Sequence, residues 1–266
     1  MKVAVVTPYH RESIALLEQC YRSVAAQYYP CRHVMVADGF PNPAVDGWPV
    51  LHLKLPAAHG DGGSAGRYAG AVAAIEAGAE AIAFLDADNW LQPDHIATLV
   101  VLALHENADL ATAGRSLHRL DGSLLGIDEQ KTGFVDTSCM LLRQPIFPLI
   151  EVWNAIPVSL WGICDRIFSM ALRERAARRV HSRRPTVCYR TGFAIHYRQC
   201  GEAPPFSLGE KEAPLRRGAA LWDSLPIAGR RRIVYAGDPS RDLPPPWPED
   251  RPEAPPAYRL NFNWVK

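Results

Sequence analysis

Two carboxylates one residue apart, in Asp86-Ala87-Asp88-Asn89, follow directly on the apolar run Ala81-Ile82-Ala83-Phe84-Leu85. Such a run reads as a buried strand, so the acids fall on its C-terminal rim, where open α/β sheets bind ligands. Carboxylates this close repel. A hard divalent cation, together with the phosphates it carries, would relieve the repulsion. Asp88 suits direct metal ligation, whereas Asp86 suits a ribose hydroxyl or a metal-bound water. Asp38 ends an earlier apolar run and can accept a proton-bearing edge of a nucleobase, and Thr7-Pro8 end the first run. One strand-end Asp can be an ordinary loop residue; the series at successive edges is what points to a site.

The segment Gly60-Asp61-Gly62-Gly63-Ser64-Ala65-Gly66-Arg67 allows close backbone approach, and Arg67 can pair with a pyrophosphate. It lacks the G-K-[ST] ending of a P-loop and does not follow the first strand as a dinucleotide fingerprint would. A flexible helix-entry loop is the plain alternative.

These residues need a scaffold of alternating strands and helices. Strands are expected at residues 3–7, 33–37, 50–55, 81–85 and 110–113. Helices are expected at 14–26, capped by Ser13, at 66–77, closed by Gly78, and at 93–104. The rhythm predicts an α/β fold with a mostly parallel central sheet flanked by helices. The second half is less regular, with strands expected at 134–142 and 187–189, a helix at 164–179 and a turn at Asp121-Gly122. Beyond Gly201 the pattern weakens. Seven prolines within 241–257 exclude a helix or central strand there. Tyr258, Leu260, Phe262 and Trp264 alternate as in an edge strand.

The chain has 266 residues, 48% of them hydrophobic, enough for one full core. A net charge of +1 gives no footprint of a nucleic-acid binder. Six cysteines without a C-x-x-C pair read as buried thiols of a reducing compartment. No stretch reaches the roughly 20 apolar residues of a membrane span. A cytoplasmic protein is expected, with peripheral contact at the inner face of the membrane left open.

Residues 3–200 resemble the family 2 glycosyltransferases. The resemblance is carried by Val5-Val6-Thr7-Pro8-Tyr9-His10-Arg11, the helix from Cys20 to Gln27, Val36-Ala37-Asp38-Gly39, Gly66-Arg67-Tyr68-Ala69-Gly70 and Phe84-Leu85-Asp86-Ala87-Asp88-Asn89. It implies a Rossmann-like nucleotide-diphospho-sugar transferase (GT-A) fold. It divides the chain into a catalytic domain at 1–200, with donor half 1–115 and acceptor half 116–200, and a Pro-rich extension at 201–266 packing on or near it. The implied activity is inverting transfer from a nucleoside diphosphate sugar to an acceptor hydroxyl, with UDP favoured and GDP or dTDP possible, and with Mn²⁺ or Mg²⁺. Thr7, Pro8, Tyr9, Arg11, Asp38, Arg67, Asp86, Ala87 and Asp88 would then line the donor site.

The resemblance also implies an acidic pair at a later helix start, where Trp161-Gly162-Ile163-Cys164-Asp165 stands. Asp165 becomes the candidate general base, although Cys164 replaces the first acid and a lone Asp there can be an N-cap. Asp136 is the fallback base or an acceptor contact. His196, after the last core strand, is a candidate metal or diphosphate ligand, and Trp90 and Trp161 are candidate sugar-packing faces. The processive signature Q-x-x-R-W is missing, which favours single addition. A nucleotide-sugar-binding homologue without activity is one alternative. A sugar nucleotidylyltransferase is another, although it would carry glycines directly after the first strand.

Overall fold

The computed structural model describes residues 1–129, 134–205 and 212–238. The first part runs β1 (Val3–Tyr9), α1 (Ile14–Ala25), β2 (Cys31–Asp38), β3 (Leu51–Leu55), α2 (Ser64–Glu76) and β4 (Ala81–Phe84). All positions of β1 and β4 are buried, because helices cover both sheet faces. Ser13 caps α1 by accepting the Leu16 N–H at 3.4 Å, and Leu17, Cys20 and Val24 form its buried face. Helix α2 lies close on the sheet because Gly70 has no side chain. A Cβ there would sit 2.4 Å from Val6 Cγ1.

The chain continues through β5 (Trp90–Leu91), α3 (His95–His105), β6 (Leu110–His118), β7 (Leu124–Asp128), β8 (Met140–Arg143), α4 (Glu151–Ala155), α5 (Cys164–Arg175), β9 (Arg179–Arg190) and α6 (Ala194–Gln199). The sheet order is β3-β2-β1-β4-β8-β6-β9-β5, with β7 paired to β6. Strands β3, β2, β1 and β4 are mutually parallel, as are β6 and β9. Strand β8 runs antiparallel to β4 and β6, and β5 and β7 are antiparallel to β9 and β6. The sheet is therefore mixed, which corrects the mostly parallel expectation. After β6 the chain turns back through Asp121-Gly122 without a crossover helix, so its next strands reverse direction.

Other boundaries also differ from expectation. Asp136 caps a 3₁₀ turn at Thr137–Cys139, so the strand expected at 134–142 begins only at Met140 and runs to Arg143. Helix α5 stops at Arg175, and β9 is far longer than residues 187–189. Past residue 201, α7 (Glu212–Ser224) and α8 (Ile227–Val234) form. Their Leu215, Trp222, Ile233 and Val234 join the core beneath α2, α4 and α5, around Phe84, Trp153 and Phe168. Trp153 and Phe168 stack there at 4.2 Å. The opposite sheet face packs Val5, Leu85, Leu99 and Leu141. The proline-rich run and the alternating aromatic residues at the C-terminus lie outside the described residues.

All six cysteines are free; four are buried, and Cys31 and Cys200 are half-buried. Among the described residues no helix is long and apolar enough to cross a membrane.

Candidate active site

Strand β4 delivers Asp86 and Asp88 to the rim expected from the sequence. The turn is tight: the Asn89 N–H donates to the Asp86 carbonyl at 2.9 Å, and the Asp86 N–H donates to Ser138 Oγ at 3.2 Å. The Asp86 carboxylate pairs with Arg67 at 2.5 Å, and Arg67 also donates to the Gly62 carbonyl at 2.8 Å. Its guanidinium lies 4.9 Å from the Trp153 ring centroid. Burial works against the Arg67 charge, but Asp86, then Cys164 and Asp165, outweigh it, and Arg67 stays a cation.

Arg190 braces the other end of this turn. It donates to the Asp88 carbonyl and to Gln19 Oε1, while its N–H donates to Asn89 Oδ1 at 2.8 Å. Trp90 packs beneath the same guanidinium at 5.0 Å and against His118 at 4.5 Å. Ala87 is buried and Asp88 half-buried. Trp161 is exposed, with its backbone and ring beside Gly62.

At the ends of β1 and β2 the expected donor residues divide. Thr7 is fully buried, its hydroxyl at 2.9 Å from His33 Nε2, so its side chain lies inside the sheet layer. Pro8 packs against Gly63 and Gly66 of the α2 entry. Tyr9 is buried. Its hydroxyl accepts the Asn42 N–H at 2.9 Å and meets His52 Nε2 at 2.7 Å, and His52 Nδ1 lies 2.7 Å from Asp46. Arg11 is exposed over the Phe40 ring at 4.0 Å. Asp38 is buried, and both its carboxylate oxygens face His59. His10 Nδ1 donates to the Asp38 carbonyl at 2.9 Å.

The second half contributes a sealed charge cluster. Arg115 on β6 is buried and donates from Nε to Asp128 at 3.0 Å, from Nη1 to Asp136 at 2.9 Å and from Nη2 to His196 Nε2 at 3.4 Å. Its guanidinium lies 4.2 Å from the Tyr189 ring centroid. Burial pushes the Asp136 carboxyl up to about 6. Arg115 pulls it down, and Asp86 and Asp165 push it further up. Asp165 opens α5 half-buried, its Oδ1 accepting the Arg166 N–H at 2.7 Å. Burial raises its pKa, Arg166 and Arg67 lower it, and Asp86 raises it again. Asp86, Asp136 and Asp165 thus share one electrostatic neighbourhood, assembled from β4, a 3₁₀ turn and α5.

The sequence reading missed Arg115, Arg190 and His59. A lone arginine after glycine inside the apolar run of 110–117 was the available signal for Arg115. Nothing in the linear pattern announces His59.

The ion ligands expected were Asp88 and His196. Because an arginine can only donate, His196 Nε2 accepts from Arg115, and Nδ1–H donates to Thr191 Oγ1 at 2.6 Å. Burial, reinforced by Arg115, lowers the imidazole to about 3. A neutral ring whose remaining lone pair faces a guanidinium does not fit an ion ligand. Among the described residues no group of three or more His, Cys, Asp or Glu side chains could hold a metal. Asp88 by contrast fits the oxygen chemistry of Mg²⁺, which commonly takes one or two carboxylates and completes its shell with phosphates and water.

The profile described as Glycosyl transferase family 2 matches residues 4–177. A crystal structure of S. aureus TarS 1–349 in complex with UDP aligns with a TM-score of 0.57 and 15% identity, over 88% of this chain and 70% of that one. TarS 1–349 in complex with UDP-GlcNAc aligns at 0.53 and 14%, over 88% and 70%. TarS 1–349 without a stated ligand gives 0.57 and 14%, over 88% and 81%. These likenesses show the fold, a GT-A-like arrangement with a mixed sheet flanked by helices. No curated protein matches by sequence.

Proposed function

The chain belongs to glycosyl transferase family 2, and from that premise we propose that it moves one glycosyl group from a nucleoside diphosphate sugar to an acceptor hydroxyl with inversion. The observation that carries the reading is the Asp86–Arg67 pair at the strand rim, with Asp136 and Asp165 near enough to feel the Asp86 charge. The nucleotide lies along the rim, its base at the Asp38 end and its diphosphate toward Asp88 and Arg67. UDP is the favoured nucleotide, with GDP and dTDP as alternatives. Support comes from the shared fold of TarS, which has been crystallised with UDP and UDP-GlcNAc.

Asp165 is the better general base of the two candidates. Asp136 is buried, and its oxygens are engaged by Arg115 and by the Ser138 N–H. Asp165 is half-buried, and its raised pKa makes it a stronger proton acceptor than an ordinary carboxylate. It takes the acceptor hydroxyl proton while that oxygen attacks the anomeric carbon opposite the diphosphate. A single displacement of this kind inverts the centre. Arg67, held as a cation beside Asp86, offsets the negative charge that grows on the leaving diphosphate. Mg²⁺ or Mn²⁺ carried by the diphosphate would supply further charge neutralisation, with Asp88 as its protein carboxylate.

A melting screen with UDP-, GDP- and dTDP-sugars, with and without Mn²⁺, tests donor binding. Mass spectrometry on the stabilising donor, offered a panel of hydroxyl acceptors, tests turnover. The reading predicts stabilisation by one nucleotide class and release of its nucleoside diphosphate. Stabilisation without any transfer or hydrolysis would favour a binding homologue, and formation of nucleoside triphosphate and sugar 1-phosphate once inorganic pyrophosphate is added would favour a nucleotidylyltransferase.

A further inference from the structure

Resting on the donor reading above, we infer that the His59 imidazole, held by Asp38, is the group that reads the donor's base, and that the Asp38 carboxylate acts through it. The Asp38 side chain is only 7% exposed, whereas the His59 side chain is 42% exposed. The His59 backbone N–H donates to both Asp38 oxygens, at 3.0 and 3.2 Å, and its Nδ1–H donates to Oδ1 at 2.7 Å. His10 closes the remaining side, its Nδ1 donating to the Asp38 carbonyl and lying 3.7 Å from Oδ2. A base edge arriving at the rim therefore meets imidazole before carboxylate.

The tautomer follows from these contacts. With Nδ1–H committed to Asp38, the uncharged form of the ring leaves a lone pair on Nε2 that accepts a hydrogen bond. The segment bearing His59 is fixed on both sides. Ala58 lies against Gly39, whose φ is +76° and where a Cβ would fall 2.3 Å from the Ala58 nitrogen. Two residues beyond His59, the Asp61 carboxylate accepts the Gly63 and Ala65 N–H groups at 3.1 and 2.8 Å. His59 is thus a built acceptor. It suits bases with a ring N–H on the pairing edge: uracil and thymine at N3, guanine at N1. Adenine and cytosine present a lone pair there and are refused.

The test is a double cycle on the intact protein. Binding of UDP, dTDP, GDP, CDP and ADP is measured by calorimetry, and the tightest nucleotide is then compared with its analogue methylated on that ring nitrogen. The wild type is expected to prefer an N–H-bearing base and to lose roughly tenfold affinity or more on methylation. His59→Ala should lose a similar factor for the unmethylated nucleotide and show almost no further loss on methylation. It should keep its affinity for inorganic pyrophosphate and its wild-type melting temperature. If His59 merely plugs Asp38, His59→Ala binds the nucleotide as tightly as wild type or tighter, and the methylation penalty persists; either result overturns the inference. A wild type that binds none of the nucleotides overturns the donor reading itself.

Discussion

The two halves of the site handle charge in opposite ways. Along the strand rim a buried polar group is paired with a more exposed one: the Asp86 side chain is 28% exposed beside buried Arg67, and His59 covers buried Asp38 but faces out itself. In the second half Arg115 and Asp136 are both sealed, and all three guanidinium nitrogens of Arg115 face side-chain partners. On the proposed function, the exposed partner of each pair is the one that meets an incoming nucleotide. Groups that set the proton affinity of a carboxylate are withdrawn from water, where neighbouring charges act strongly. The proposed function gives the rim the part of contact and the sealed cluster the part of tuning.

The largest contrast should come from Arg115→Met. Removing the cation strands buried Asp136 without its partner, and urea unfolding is expected to show a loss of about 3–5 kcal/mol. Asp136→Asn in the same background should recover part of it. A loss below about 1 kcal/mol would mean that the cluster is not sealed as described.

Gly39→Ala attacks the rim instead. The left-handed φ and the contact with the Ala58 backbone predict a stability loss of about 2 kcal/mol. Because the displaced segment carries His59, nucleotide affinity should fall as well. Unchanged affinity would detach that segment from the donor site.

A smaller effect appears in the pH dependence of stability. Asp136 titrates near 3.9 when unfolded and near 6 when folded, because burial disfavours its charge. Between these values the native state binds more protons. Its contribution is therefore full below about pH 4 and is lost as pH rises through about 6. The wild type minus Asp136→Asn difference should slope downward across that window; a flat difference would place Asp136 in a wetter setting.

The rim was legible in the sequence because a carboxylate that ends a continuous apolar run marks the point where a buried strand meets water. Asp38, Asp86 and Asp88 all stand that way. Ser13 marked the start of α1 by local capping chemistry. The sealed cluster was not legible, since Arg115 acquires its meaning only when β7, the 137–139 turn and α6 fold over it. Arg179, Arg183, Arg184 and Pro185 hid most of β9, whose pairing register with β6 shifts near Gly114. Pro214, Gly218 and Pro226 likewise masked α7 and α8, which owe their place to Leu215, Trp222 and Ile233 on the core.

The most direct test of the catalytic proposal is Asp165→Asn, with donor affinity and transfer rate measured on the same preparation. Donor affinity should stay within about twofold while kcat falls by about 10²–10⁴. Transfer at near wild-type rate with donor binding intact would contradict Asp165 as the base.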